Sequence, residues 1–184
     1  MIVYFEGLSC AGKTTLIEHI NSNTNNKVQV IKELPVDYSK IKDIDNFCRK
    51  NDKIKSKEAY VKSKKNIVLV DRCYASTLAY NYIQYKTGIS KEYLKSLKWY
   101  FDCILSNKLI KPDLYVYIDI ETKEVKKRAT RLNKFNNNIA WYTKPLIATK
   151  FYDIFFKYFE PEIPVLKLKA SIPTKVQAQK FWKK

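Results

Sequence analysis

The sequence is poor in residues that mark several other classes of protein. Its 184 residues include one histidine, one methionine, three glycines and four cysteines. The cysteines form no CxxC pair, and His19 has no cysteine at a metal-ligand spacing, which argues against a zinc site. We therefore expect reduced thiols in a cytosolic protein.

Long hydrophobic runs are also missing. No apolar stretch reaches the ~20 residues that span a bilayer, and the first residues, MIVYFEG, lack the charged, apolar and small-residue order of a signal peptide. We expect a cytoplasmic protein with no membrane partner. The length and the 46% hydrophobic content predict one domain over residues 1–184.

Acidic residues are scarce beside basic ones. The chain has 18 Asp and Glu against 35 Lys and Arg, so its net charge of +17 should attract polyanions. The lysines are spread along most of the sequence, and no helix-turn-helix or zinc signature accompanies them. Nucleic acid is therefore a possible partner but not the favoured one.

Short apolar runs alternate with longer stretches of helical periodicity. This order predicts an α/β fold in which a five-stranded parallel sheet carries helices on both faces. A loop is predicted at 136–143. The strands are predicted at 2–5, 27–35, 66–72, 111–120 and 163–169. One helix is predicted directly after the first glycine segment. The other helices are predicted at 40–65, 74–86, 91–107, 121–134 and 144–160, and from Pro173.

A phosphate-binding motif follows the first strand and opens the first helix. GLSCAGKT at 7–14 matches GxxxxGK[ST] in full, and it uses two of the three glycines in the chain. Such a loop turns backbone N–H groups around a phosphate chain, while Lys13 reaches the β- and γ-phosphates and Thr14 binds Mg²⁺. We therefore predict a P-loop NTPase fold with an ATP site formed by Gly7, Ser9, Cys10, Ala11, Gly12, Lys13, Thr14 and Thr15.

A charged pair, Asp71 and Arg72, ends the third apolar strand. Ligands of open parallel sheets bind beyond the carboxyl ends of the strands, so the pair should face the phosphate loop. A carboxylate there can hold magnesium or accept a proton, and a guanidinium can bind a second phosphate with two hydrogen bonds.

Three segments resemble thymidylate kinases. FEGLSCAGKTT is similar to the opening of that family, DRCYASTLAY at 71–80 resembles its DRY motif with the following serine and AY, and KPDLYVYID resembles its PDL strand. The resemblance implies transfer of the γ-phosphoryl group of ATP to a nucleoside monophosphate, with dTMP as the implied acceptor. Deoxynucleoside kinases share this architecture.

The resemblance also implies roles for individual residues. Arg72 would bind the acceptor phosphate, and Asp71 would assist magnesium. Glu33 would face the acceptor sugar and the transferred phosphate. A short lid at about 131–142 would close over the donor, and family members are commonly dimers. The lid arginines would be Arg128 and Arg131, and the base-contacting arginine would be Arg49.

The sequence departs from the family pattern at several positions. Ser9 and Cys10 stand where an acidic residue and a glycine are usual, Lys32 stands for an arginine, and Cys73 replaces the aromatic residue of DRY. These changes concern base and sugar selection more than phosphoryl transfer.

Two other activities stay open at this point. One is a deoxynucleoside kinase that uses Glu33 as the base for a 5′-hydroxyl. The other is a nucleic-acid-associated P-loop protein such as a polynucleotide 5′-kinase, in which Trp99, Trp141 and Tyr142 would stack on bases. The aromatic-rich helices at 74–107 also predict a homodimer.

Overall fold

All five strands lie in one parallel sheet. The computed structural model describes residues 1–24, 28–33, 40–136 and 140–183. The strand order is β2-β3-β1-β4-β5, and every neighbouring pair is parallel, which confirms the predicted α/β sheet. The strands are β1 Ile2–Gly7, β2 Val28–Ile31, β3 Ile67–Asp71, β4 Leu114–Asp119 and β5 Val165–Lys169.

Helices cover the sheet on both faces. The α2 helix is capped by Asp43, whose carboxylate accepts a hydrogen bond from the Asn46 N–H at 2.9 Å. Pro145 begins α7, where its missing N–H costs nothing. The helices are α1 Lys13–Ser22, α2 Ile44–Ser63, α3 Tyr74–Lys86, α4 Glu92–Leu105, α5 Thr122–Arg131, α6 Ala140–Thr143, α7 Pro145–Ile154 and α8 Thr174–Trp182.

The central strand β1 supplies both hydrophobic cores. All six of its residues are buried, and alternate side chains point to opposite faces of the sheet. Val3 and Phe5 pack with α1 and α8, whereas Tyr4 packs on the face that α3, α4 and α7 cover. The edge strand β5 instead buries Leu166 and Leu168 and exposes the lysines between and after them.

A buried carboxylate organises the aromatic face of the sheet. The hydroxyl groups of Tyr74, Tyr100 and Tyr115 donate to Glu160 at 2.9, 2.8 and 2.5 Å. Burial raises the pKa of Glu160, and these hydrogen bonds oppose the rise. Part of the aromatic content of α3 and α4 is therefore used inside the protein.

The structure corrects two predicted elements near the end of the chain. The predicted loop at 136–143 contains the short helix α6, and the predicted helix at 144–160 is α7 followed by a π-helical segment, Phe155–Phe159. Residues 137–139 of the predicted lid lie outside the described part of the chain.

None of the described helices is both long and apolar enough to be a membrane-spanning segment.

Candidate active site

The phosphate loop begins where β1 ends, and its two glycines have backbone conformations that favour glycine. Gly7 has φ +133°, and a Cβ atom built there would lie 2.6 Å from the carbonyl oxygen of Ile118. Gly12 has φ +103° and precedes the first residue of α1. Cys10, between them, has φ +60°, a conformation that a non-glycine residue adopts at some cost.

The two charged motifs meet at one backbone carbonyl. The Lys13 ammonium donates to the Gly7 oxygen at 3.1 Å and to the Leu8 oxygen at 2.9 Å. The Arg72 guanidinium donates to the same Gly7 oxygen at 3.1 Å. Burial, followed by the charge of Arg72, lowers the pKa of Lys13 to about 8. An anion at this point would relieve the repulsion between the two cations.

Thr14 and Asp71 form a pair suited to a hard cation. The Thr14 hydroxyl donates to Oδ2 of Asp71 at 2.6 Å. Oδ1 of Asp71 is buried and has no hydrogen-bond partner among the described residues. A hydroxyl oxygen beside an unsatisfied carboxylate oxygen fits Mg²⁺, which prefers oxygen ligands and keeps several waters. These two residues are therefore suited to hold the ion.

Arg72 has an unusual backbone and a crowded side chain. Its φ is +60°, and its guanidinium donates to Ser9 at 3.3 Å and to Ser76 at 3.0 Å. Its Nε forms an ion pair with Glu33 at 3.3 Å. Burial alone would lower the pKa of Arg72, but Glu33 and further nearby groups raise it more strongly. The Trp141 ring lies 5.2 Å from the guanidinium carbon.

Two buried residues that the sequence analysis missed hold this region in place. The Lys55 ammonium donates to the carbonyl oxygens of Asp71 and Arg72 at 2.5 and 2.6 Å. Glu6 accepts hydrogen bonds from the Cys73 N–H at 2.9 Å and from the Ser76 hydroxyl at 2.5 Å. Burial raises the pKa of Glu6. Lys55 and Glu6 are ionisable residues, yet they lie inside the fold, where sequence patterns predict apolar residues.

The proposed lid arginines lie on the last turns of α5. Arg128 donates to the Cys10 carbonyl at 3.4 Å and to the Ala170 carbonyl at 3.0 Å, so it touches the phosphate loop. Arg131 is exposed and, like Arg128, lines a cavity that phosphate-loop residues also line. The structure therefore brings both arginines to the site.

A cavity of about 750 Å³ connects these groups. We call the part lined by the phosphate loop, Arg72 and the α5 arginines its phosphate end. Among the predicted loop residues, Ala11 is buried beneath the loop, whereas those lining the cavity are Ser9, Cys10, Gly12, Lys13, Thr14 and Thr15. Glu33, Trp141 and Tyr142 also line the cavity.

Arg49 and Trp99 lie elsewhere. Arg49 forms a 4.0 Å ion pair with Glu92 and borders a separate depression beside the cavity. Trp99 packs against the aromatic core. Neither side chain lines the cavity that the described residues form.

The opposite wall of the cavity comes from α2 and α3. Its lining residues that the sequence analysis did not assign to the site include Asp45, Cys48, Asp52, Thr77, Tyr80 and Asn81. On α2 the buried residues are Asp52, Lys55, Ser56 and Ala59, a spacing that marks one helix face. Because this face is mostly polar, the hydrophobic periodicity of the sequence does not reveal that it is buried.

The arrangement is a P-loop fold of the kind found in nucleotide kinases. A deoxyadenosine kinase from M. mycoides, solved with dCMP and dCDP, matches with a TM-score of 0.74 at 17% identity, covering 100% of this chain and 97% of that chain. The same enzyme with dCTP gives 0.70 at 22% identity, covering 100% and 97%. A thymidylate kinase from Candida albicans gives 0.68 at 16% identity, covering 99% and 89%.

These likenesses show a shared fold. Neither a protein-family model nor a curated protein sequence matches the chain.

Proposed function

We propose that the protein is a Mg²⁺-dependent kinase that transfers the γ-phosphoryl group of ATP to a nucleoside monophosphate. The observation that carries this proposal is the meeting of Lys13 and Arg72 at the Gly7 carbonyl, beside the Thr14–Asp71 pair. Lys13, Thr14 and Arg72 thus line one end of one cavity, and Asp71 is hydrogen-bonded to Thr14 there.

The donor occupies the phosphate loop in this proposal. Backbone N–H groups near the start of α1 bind its phosphates, with Lys13 beside them. Thr14 and Asp71 would hold the Mg²⁺, which would neutralise charge on the donor phosphates. Arg128 and Arg131, on the last turns of α5, add positive charge at the start of the lid at about 131–142, which closes over the donor.

Arg72 holds the acceptor phosphate opposite the donor. During transfer, the bond from the γ-phosphorus to the ADP oxygen breaks while a bond to the acceptor oxygen forms. An ionised phosphate acceptor needs little help from a base, so alignment and charge neutralisation by Lys13 and the arginines account for most of the rate.

A deoxynucleoside kinase is the second candidate, and the Glu33–Arg72 ion pair favours it. A carboxylate beside the guanidinium is suited to accept the proton of a 5′-hydroxyl group when the acceptor lacks a phosphate. The deoxyadenosine kinase that shares the fold adds support for this alternative.

A homodimer also belongs to the proposal. On α4, Leu94, Phe101 and Leu105 are exposed, although Tyr93 and Tyr100 of the same helix are buried. An apolar helix surface of this kind is suited to a second copy of the chain, and sedimentation measurements test it.

The decisive experiment measures transfer from labelled ATP to a panel of acceptors. The panel contains nucleoside monophosphates, including the dTMP that the motif resemblance implies, the matching nucleosides, and a 5′-hydroxyl oligonucleotide. We expect monophosphates to be phosphorylated with Mg²⁺ present and not after chelation. Exclusive use of nucleosides would select the second candidate, and use of the oligonucleotide alone would point to a polynucleotide kinase.

A further inference from the structure

The wall of the cavity that α2 and α3 form contains polar side chains that phosphate binding does not require. We call Asp45, Asp52, Thr77 and Asn81 the α2–α3 wall. Asp52 and Asn81 are only 4% and 1% exposed, yet both line the cavity. Burying such groups is costly unless a partner satisfies them. The polar groups of the wall therefore indicate which hydrogen-bonding groups a ligand presents at this end of the cavity.

Asn81 presents an unsatisfied acceptor. Its Nδ2 donates to the Ser96 hydroxyl at 2.7 Å. Its side chain also opposes the rise in pKa that burial causes at the nearby Asp45 carboxyl group. In this orientation, which the hydrogen-bond partners assign, the amide oxygen is left to accept. Its Oδ1 atom is buried and has no partner among the described residues.

Asp52 adds a carboxyl group to the same wall. The Thr77 hydroxyl donates to its Oδ2 at 2.7 Å, so that hydroxyl is already committed. Burial raises the pKa of Asp52 to about 7, against the opposing effects of Thr77 and Lys55. The Lys55 ammonium, whose charge lowers that pKa, is itself bound to two carbonyl oxygens. Asp52 thus has acceptor capacity left for a ligand.

We propose that the base of the acceptor presents an exocyclic amino group to Asp52 and Asn81, so that cytosine and adenine are favoured over uracil and thymine. This inference rests on the proposed function and names the substrate class of the same site. An amino group has two hydrogens, one for each acceptor of the wall. A carbonyl oxygen in its place would leave the Asn81 oxygen unpaired and bring a second acceptor against it.

Discrimination between the two pairs of bases depends on the Asn81 oxygen. A neutral Asp52 carboxyl group has one donor and one acceptor, so it can pair with the ring acceptor of cytosine and adenine or with the ring N–H of uracil and thymine. The Asn81 oxygen only accepts, so it pairs with an amino group and not with a carbonyl oxygen. Polar sites built in this way reject analogues that leave buried groups unpaired. The expected base thus differs from the thymine that the motif resemblance implies.

The test compares acceptors that differ only in the amino group. The first pair is dCMP with dUMP, and the second is dAMP with purine deoxyriboside monophosphate; the matching nucleosides are measured in parallel. We expect kcat/KM to be at least about 30-fold higher for the amino member of each pair. Equal use of both members, or preference for dUMP and dTMP, would overturn this inference while leaving the proposed kinase activity intact.

Asp52→Asn tests the assignment to this residue. The ionised carboxylate only accepts, whereas the amide carries a donor at every pH, so we expect the dCMP preference over dUMP to fall about tenfold, with the KM for ATP unchanged. Asp102→Asn, the same substitution on the exposed surface of α4, should leave the ratio unchanged. If dCMP stays equally preferred in folded Asp52→Asn, the wall does not select the base. If no nucleoside or nucleotide is phosphorylated by the unmodified protein, the proposed function fails together with this inference.

Discussion

The phosphate end and the α2–α3 wall belong to one cavity but are built in different ways. The phosphate end depends mainly on a contiguous loop, whose backbone N–H groups and Lys13 would bind the phosphates that every nucleoside triphosphate carries. The wall depends on side chains at separate positions of two helices, each fixed by a partner such as Thr77 or Ser96. The first arrangement suits common chemistry, and the second suits selection among acceptors.

Removal of Lys13 should have the largest effect. Lys13→Ala deletes the ammonium that the proposal places against the transferred phosphate, so we expect kcat to fall by about 10³-fold or more. Lys123→Ala, which removes an exposed lysine at the start of α5, serves as the control. Circular dichroism should show an intact fold in both variants. A near-normal rate for Lys13→Ala would refute the role of the phosphate end.

Asp52→Asn should change stability in a pH-dependent way. Folding favours the neutral carboxyl group, because burial raises its pKa from 3.8 to about 7. Its contribution to stability is therefore fully present below about pH 4 and is lost as the pH rises towards 7. Asparagine does not titrate, so the variant should gain up to about 4 kcal/mol relative to the unmodified protein across this range.

Urea unfolding at intervals between pH 4 and 7 measures that difference. Asp102→Asn again serves as the control, because it replaces a carboxyl group with an amide at an exposed site. If the difference in unfolding free energy between Asp52→Asn and the unmodified protein did not change with pH, the Asp52 carboxyl group would not have a raised pKa in the folded protein.

Gly7→Ala should destabilise the phosphate end more than an alanine at another left-handed glycine. At Gly7 the new Cβ atom would meet the Ile118 carbonyl at 2.6 Å in addition to the strain of a positive φ, so we expect a loss of about 3 kcal/mol. At Gly88, with φ +73°, no atom lies within 4 Å of such a Cβ, and we expect about 1 kcal/mol. Equal losses in denaturant unfolding would show that the contact with β4 is not tight.

The sheet and the phosphate end were predictable because their signals are local. Apolar strands such as 66–72 are continuous runs, and the loop at 7–14 combines a strand, two glycines and a helix start in one segment. The parallel topology then brings Asp71 and Arg72 to the same edge of the sheet. At this edge of the sheet, residues that form local sequence motifs are also neighbours in the folded protein.

The supporting groups and the wall were not predictable because their partners are distant in sequence. Glu6 contacts residues 67 and 70 positions away, and nothing in its apolar strand marks it as an acceptor. Asp52 and Lys55 lie in a stretch whose mixture of charges predicts a solvated helix. Only their 3.6-residue spacing with Ala59 indicates a buried face, and that signal is hidden when hydrophobicity alone is followed.

Arg49 provides the smallest expected effect and tests where the wall ends. Its ion pair with Glu92 is long, at 4.0 Å, and lies beside a depression outside the main cavity. Arg49→Ala should therefore change the unfolding free energy by less than about 1 kcal/mol. The KM of the preferred acceptor should change less than about threefold, because base selection in our proposal belongs to Asp52 and Asn81. A tenfold rise in that KM, with ATP binding unaffected, would instead extend the acceptor site across α2 into the neighbouring depression and restore the base-contacting role that the sequence suggested for this arginine.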